Sequence, residues 1–279
     1  MRLLITDGVN EVGRWVEVTG LGRGVDRTGS LSTEGIEDSL AALARFGSAM
    51  DHAGVERRLA IATSAARDAS NRAAFFELAE SALGVRPTLI SGEDEARLAF
   101  AGATVGSDSE PPIVVSDIGG GSTEFVTADA GVSIDIGSVR LTERSIPSRP
   151  ASPAELAAAR ALVADLFRDI HLAVGTLIGV AGTWTSLAAI TQALPEYSRN
   201  RVHGYRMPRD ALAKVIGSLS GKSLEETAAI PSLDPKRAPV ILAGSLIAEG
   251  VMDVLGVDQV LVSEHDTLDG AAIELLVLP

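Results

Sequence analysis

Asp117-Ile118-Gly119-Gly120-Gly121-Ser122-Thr123-Glu124 follows directly on the apolar run Ile113-Val114-Val115-Ser116. The run reads as a buried strand. The three glycines after it read as a turn whose backbone N–H groups an anion can approach with no Cβ in the way. Ser122 and Thr123 add hydroxyl donors. Asp117, at the strand end, is placed to hold a metal ion or its water, and Glu124 to position a nucleophilic water. The plain alternative is a tight hairpin turn with a capping Asp. A glycine triplet alone does not separate the two readings; an acid on each side of Gly-Gly-Gly-Ser-Thr favours the anion site.

Outward from this stretch, apolar runs alternate with helical patterns, the signature of α/β organisation. On the N-terminal side, Leu3-Leu4-Ile5 and Trp15 to Val18 read as strands joined by a turn over Gly8 to Gly13. Glu34 to Met50 reads as a helix with Ile36, Leu40, Leu43 and Phe46 on one face. Leu59 to Ala62 and Thr88 to Ile90 read as strands. Between them lies a helix capped by Ser70 or Asn71 that buries Phe75 and Leu78. A further helix follows at Ala96 to Ala103. The polar stretch Gly106 to Pro112 marks a boundary between two domains. On the C-terminal side, Phe125 to Thr127 and Val132 to Ile134 read as strands, and Ser152 caps a helix to about Leu172. Leu177 to Val180 is a strand, Pro208 begins a helix, Ala238 to Leu255 is a helix, Val260 to Val262 a strand and Asp269 to Leu276 a final helix. The second half opens strand, glycine turn, strand, turn, strand. If the halves are related repeats, the first lacks its leading strand and that strand's turn.

Composition narrows the chemistry. The chain has 279 residues, 46% hydrophobic and 22% charged, enough for a packed core. Its 37 acidic and 24 basic side chains give a net charge of -13, which argues against a nucleic-acid-coating protein. A local cluster and a metal ion still admit a phosphate-rich substrate. There is no cysteine, so disulfides, iron–sulfur clusters and thiolate nucleophiles are excluded. Four scattered His without HExxH argue against zinc. No apolar run is long enough for a signal peptide or membrane span, so a cytoplasmic location is expected.

Three other stretches carry candidate chemistry. Ser91-Gly92-Glu93-Asp94-Glu95-Ala96-Arg97-Leu98 places three acids at a helix start, favourable with the helix dipole alone; one of them can also serve as a general base for water. Ala62-Thr63-Ser64-Ala65-Ala66-Arg67-Asp68 offers Arg67 as a planar clamp for phosphate, against a surface Arg paired with Asp68. Gly179 to Thr185 runs from strand into a Gly182-Thr183 turn and a helix, a second candidate anion site or an ordinary helix cap. Trp184 reads as packing. His203-Gly204 and Glu264-His265-Asp266 read as surface polar clusters.

These motifs in this order resemble the exopolyphosphatase/guanosine pentaphosphate phosphatase (Ppx/GppA) family, in its short two-domain type. The resemblance spans essentially the whole chain: Gly22 to Asp26, Ala62 to Asn71, Ser91 to Phe100, Val115 to Phe125, Gly137 to Glu143, Gly179 to Thr185 and Val262 to Gly270. It implies an α/β fold of two ribonuclease-H-like (actin/hexokinase/Hsp70-like) domains facing a cleft. Residues 1–110, with the C-terminal helix 269–279, would form the first and residues 111–268 the second. It implies Mg²⁺-dependent (or Mn²⁺-dependent) release of terminal orthophosphate from inorganic polyphosphate or guanosine pentaphosphate, and a homodimer is plausible from the family. By motif position Glu95 matches the catalytic base, and Asp117 and Glu124 match acids that hold metal and water. Gly119, Gly120, Gly121 and Ser122 match a phosphate loop, and Arg67 a phosphate contact. One departure remains. Family members open with a strand and a loop of type Asp-x-Gly-(Ser/Thr)-Asn-Ser before Arg-Leu-Leu-Ile, whereas here Met1 directly precedes Arg2-Leu3-Leu4-Ile5. This is the gap that the comparison of halves exposes. The expectation is a true start further upstream; the competing one is a rearranged first domain with activity reduced or lost. Two rivals accompany the hydrolase reading: a catalytically impaired polyphosphate- or nucleotide-binding regulator, and a kinase-like phosphotransferase of the same superfamily.

Overall fold

The apolar run before the glycine triplet forms the interior of a six-stranded sheet in a computed structural model that describes residues 1–107 and 109–277. The strands are β1 (Arg2–Thr6), β2 (Glu11–Val16), β3 (Ile61–Ala62), β4 (Thr88–Leu89), β5 (Ile113–Ile118), β6 (Thr123–Val126), β7 (Gly131–Ile134), β8 (Thr176–Val180), β9 (Arg206–Pro208) and β10 (Gln259–Val262). The helices are α1 (Val25–Thr28), α2 (Thr33–His52), α3 (Ser64–Arg67), α4 (Arg72–Leu83), α5 (Gly92–Thr104), α6 (Ser138–Ser145), α7 (Pro153–Phe167), α8 (Ala181–Thr191), α9 (Arg199–Val202), α10 (Arg209–Ser220), α11 (Leu224–Ala228), α12 (Ile241–Leu255) and α13 (Thr267–Val277), with a 3-10 turn at Pro235–Arg237. The last two residues of the expected C-terminal helix lie outside the described residues.

The large sheet runs β7-β6-β5-β8-β10-β9. β5 pairs antiparallel with β6 and parallel with β8, and it is buried on both faces, which is why it opens on the unbroken apolar run Ile113-Val114-Val115. Trp184, Phe125, Phe167, Leu177 and Leu187 are fully buried in the core beneath it. α5 lies against this sheet as well: Ala96 and Ala103 pack with Val115, Val126 and Ile178.

The N-terminal half repeats the pattern with one place empty. β1 and β2 form an antiparallel pair, β3 and β4 a parallel pair, and the two pairs are separate sheets. They correspond to β6-β7 and β8-β10, and among the described residues no strand stands in the place of β5. Met1 and Glu17 exchange both backbone hydrogen bonds, at 2.6 and 2.8 Å, so by antiparallel alternation Arg2 and Leu4 turn their N–H and C=O away from β2. Ala60 and Ala62 accept from Thr88 and Ile90, so Ile61 turns its backbone away from β4. Between these edges lies a cavity of about 310 Å³ lined by Leu3, Phe46, Ile61, Phe75 and Leu268.

Several local expectations are corrected. β2 begins at Glu11 rather than Trp15, because the Asp7 carboxylate accepts from the Val9 and Asn10 amides and closes the turn early. α4 buries Phe75, Phe76, Ala79 and Leu83, while Leu78 is 51% exposed on the other face. Asn71 does not cap α4 with its side chain; its amide exchanges bonds with the backbone of Leu31. α7 ends at Phe167, before the expected Leu172, and the chain turns there with the Ile170 amide on the Phe167 carbonyl. The helix expected from Ala238 begins at Ile241, after the 3-10 turn. The Ser152 cap is present as a reciprocal capping box with Glu155. α13 crosses α5 so closely that a Cβ on Gly102 would stand 2.0 Å from the Asp266 carbonyl oxygen. Among the described residues no helix is long and apolar enough to cross a membrane.

Candidate active site

The glycine stretch is the hairpin turn between β5 and β6, closed by Gly119 N–H donating to the Ser122 carbonyl at 3.0 Å. What aims it is α6. Ser138 N–H donates to Gly119 C=O at 2.9 Å, and Val139 N–H and Arg140 N–H donate to Gly120 C=O at 2.9 and 3.3 Å. The loop carbonyls are thereby consumed by the free amides of a helix start. Among the described residues the N–H groups of Gly120 and Gly121 make no hydrogen bond, and both residues line a cavity of about 350 Å³. The close approach requires glycine at position 137, where a Cβ would stand 2.4 Å from the Gly120 carbonyl. Among the described residues the loop thus keeps two unpaired backbone donors on residues of the cavity wall.

The three candidate acids converge beside it. Asp117 and Glu124 are cross-strand partners, both buried, and Glu95 arrives on α5. Burial, and then the charge of Asp117, push the Glu95 carboxyl up to about 7, although Arg67 and the Thr63 hydroxyl act the other way. Asp117 is raised by burial and by Glu124, and Glu124 by burial and by Glu95. Ser133 donates to Glu124 at 2.7 Å. Glu95 Oε2 is buried and accepts no hydrogen bond. Its nearest cation is Arg67, whose Nη1 lies 3.7 Å away while donating to the Ile90 carbonyl at 3.1 Å.

Gly182 and Thr183 line the same cavity. The Thr183 hydroxyl donates to the Ile118 carbonyl at 2.9 Å, tying α8 to the end of β5. Trp184 is buried packing, as expected from the sequence. His203 and His265 stack on each other with ring centroids 4.7 Å apart.

Three cations that the sequence reading passed over complete the wall. Arg2 keeps about a third of its side chain exposed and pairs with Asp266; desolvation opposes its charge, but Asp266, Asp117 and Glu95 more than offset this. Asp266 is thus buried beside the second cavity and not part of a surface cluster. The Arg237 guanidinium lies over Gly182 and, among the described residues, has no hydrogen bond or ion pair; burial lowers its pKa. It stands between the cleft and a second cavity of about 400 Å³ lined by Tyr197, Arg199 and Asp234. Arg140 also lines the cleft.

A loop of free amides, a buried acid cluster and surrounding arginines suit an anionic substrate attacked by water. The donor set is also right for a hard divalent cation. Its ligands would be carboxylate oxygens, and the mutual repulsion of Asp117 and Glu124 is a charge surplus that such an ion relieves. Among the described residues no three ligating side chains form a closed metal shell. The fit is to an ion held by one or two carboxylates and otherwise open to substrate.

Comparison with known proteins agrees with this chemistry. Residues 7–276 match the Ppx/GppA phosphatase family. Exopolyphosphatase 2 of Mycobacterium tuberculosis is 38% identical over 303 aligned positions, covering 99% of this chain and 95% of that protein. Exopolyphosphatase 1 of the same organism is 29% identical over 252 positions, covering 86% of this chain and 73% of that protein. The crystal structure of an exopolyphosphatase-like protein superposes with a TM-score of 0.92 at 32% identity, covering 98% of this chain and 94% of that one. The Aquifex aeolicus PPX-GPPA enzyme superposes with a TM-score of 0.82 at 29% identity, covering 98% and 95%.

Proposed function

Since the chain belongs to the Ppx/GppA phosphatase family, we propose that it hydrolyses the terminal phosphoanhydride of linear polyphosphate and releases orthophosphate. The observation that carries this reading is the pair of Gly120 and Gly121 amides, unpaired among the described residues, on a loop that lines a cleft together with Glu95, whose Oε2 is orphaned. In this reading the terminal phosphoryl oxygens take those amides as donors. Arg67 and Arg237 hold neighbouring phosphates by their planar forks. Glu95 accepts a proton from the water that attacks phosphorus, and Glu124, steadied by Ser133, helps to orient that water. Asp117, with Glu124 beside it, would hold Mg²⁺ or Mn²⁺. When bound, the ion offsets charge on the phosphoryl oxygens. The proposed division into residues 1–110 with the C-terminal helix, and residues 111–268, puts Arg67 and Glu95 in one unit and the glycine loop in the other.

The second cavity beyond Arg237 supports guanosine pentaphosphate as a second substrate. Its walls offer the aromatic ring of Tyr197 and the carboxylate of Asp234 for a nucleoside.

The test is orthophosphate release from long-chain polyphosphate by the purified chain with Mg²⁺. Absence of release under any divalent cation would refute the reading. The pH profile adds a sharper check. A base must be unprotonated to work, and Glu95 is raised to about 7, so kcat/KM should climb as pH passes through about 7 at limiting Mg²⁺. Saturating Mg²⁺ should move that limb to lower pH, because an added cation favours the carboxylate form. A flat profile from pH 5 to 8 would remove Glu95 from the role.

A further inference from the structure

α6 holds more than the glycine loop. Arg140, only 9% exposed, reaches carboxylates on both sides of the cleft. In the C-terminal half it lies 3.2 Å from Asp135. In the N-terminal half it pairs with Asp68 and lies 3.4 Å from Asp26. Asp135 is 83% exposed and contributes little. Asp68 and Asp26 sit at the end of α3 and in α1. Two neighbours on the same helix face the same way. Arg144 takes Asp26 in a two-point contact at 2.7 and 2.8 Å, and Glu143 accepts from the Gly24 amide at 2.9 Å. A single helix of the second half thus grips two helices of the first.

The position of this grip has a chemical meaning. The Arg140 amide bonds to the loop carbonyl of Gly120, and its side chain bonds to Asp68, the residue after Arg67. Arg67 in turn faces Glu95 at 3.7 Å. One residue therefore joins the phosphate loop to the arginine that stands over the base. Ser64, at the other end of the same short helix, is also at the loop: a Cβ on Gly121 would stand 3.0 Å from its hydroxyl. A desolvated Arg with several carboxylates is weak evidence for stability, because the charges are costly to bury. It is better evidence for register, since only the closed arrangement satisfies it.

We propose that Arg140 is a positioning residue: by holding Asp68 and Asp26 across the cleft, it couples the glycine loop to the placement of Arg67 against Glu95. The proposal rests on the hydrolase reading for its kinetic part only. Arg140→Gln should lower kcat on polyphosphate by about 30-fold with KM changed less than threefold, because the chemistry is misplaced while the loop amides remain. Asp68→Asn should act in the same direction. The double variant should be no slower than Arg140→Gln alone, since the two side chains act through one contact. Arg140→Lys, which keeps the charge and loses the fork, should recover only part of the rate. Unchanged kcat in Arg140→Gln, or multiplicative losses in the double variant, would overturn the coupling.

A second measurement does not depend on turnover. The chain has no cysteine, so Asp38→Cys with Lys214→Cys gives one dye pair across the cleft. Arg140→Gln should lengthen and broaden the distance between the dyes, and an unchanged distribution would refute the grip. If the parent chain releases no phosphate, the hydrolase reading fails while the dye distances still decide the grip.

Discussion

Glu95→Gln should lower polyphosphate turnover by about a thousandfold while polyphosphate binding stays within a few-fold, because a positioned general base contributes on the order of 10²–10⁴. The substitution is close to isosteric and keeps the α5 start intact, where Ser91 accepts from the Asp94 amide. It removes only the capacity to accept a proton. The structure gives Glu95 the features of a base. It is buried, its Oε2 has no hydrogen-bond partner, and its carboxyl is raised to about 7, near the pH at which a base combines availability with strength. Glu93 shares the helix start but is exposed, and Asp94, half-buried, is spent on Ser91. Glu93→Gln should therefore change turnover less than threefold. Phosphate release and equilibrium binding of polyphosphate, measured on both variants, check this. Comparable losses in the two would mean that the helix start, not Glu95, matters.

Asp117→Asn should do two opposite things: lower turnover by on the order of 10²-fold or more, and raise thermal stability at pH 8. The sign of the second effect follows from linkage. Asp117, Glu124 and Glu95 all have folded-state pKa values above their unfolded ones. The folded chain binds those protons more tightly, so stability is fully present below the ordinary carboxylate range and is lost as pH rises through about 7. At pH 8 the native state holds three buried charges in mutual repulsion, and every tenfold increase in a carboxylate's proton affinity on folding costs about 1.4 kcal/mol once the proton is gone. Replacing Asp117 with an amide removes one of them, while Arg2 keeps its partner Asp266. The gain is expected to be about 1–3 kcal/mol at pH 8, a rise of several degrees in Tm, shrinking toward zero near pH 5. Mg²⁺ should raise the Tm of the parent chain at pH 8 and have little effect on the variant. A variant less stable than its parent at pH 8 would mean that Asp117 is held by favourable contacts rather than strained by repulsion.

The glycine loop and Glu95 were legible because their chemistry is local: strand, turn and helix start lie within a few residues. Arg2 was not, because its partner Asp266 is 264 positions away. Arg140 was equally hidden, with Asp68 at 72 positions, although the segment Gly137 to Glu143 carries part of the family resemblance. α6 went unread for a different reason. Val139 and Leu141 alternate with polar residues as a strand would. The helix forms because its first amides find the carbonyls of Gly119 and Gly120, which no period in the sequence reveals. The strand at Leu59 to Ala62 shrank to two residues because its length is set by neighbouring strands, and one neighbour's place is empty. The comparison of the two halves, by contrast, located that empty place from pattern alone.

The divided N-terminal sheet has a thermodynamic consequence. Regions with few paired backbone groups open with less free energy than the whole molecule needs to unfold. The amides of Leu4 and Ile61 turn away from their paired strands and should exchange with solvent quickly. Those of Val115 and Ile178, central in the six-stranded sheet, should exchange only on global unfolding. The break between the two regimes does not follow the cleft. α5 is packed on the large sheet, so Glu95 stays with Asp117 and Glu124 when the first half loosens. Arg67, Asp68 and Asp26 are what would leave. On warming, the chain should lose the Arg67 part of its hold on phosphate first, with the glycine loop and the proton-transfer groups still assembled on a folded remainder.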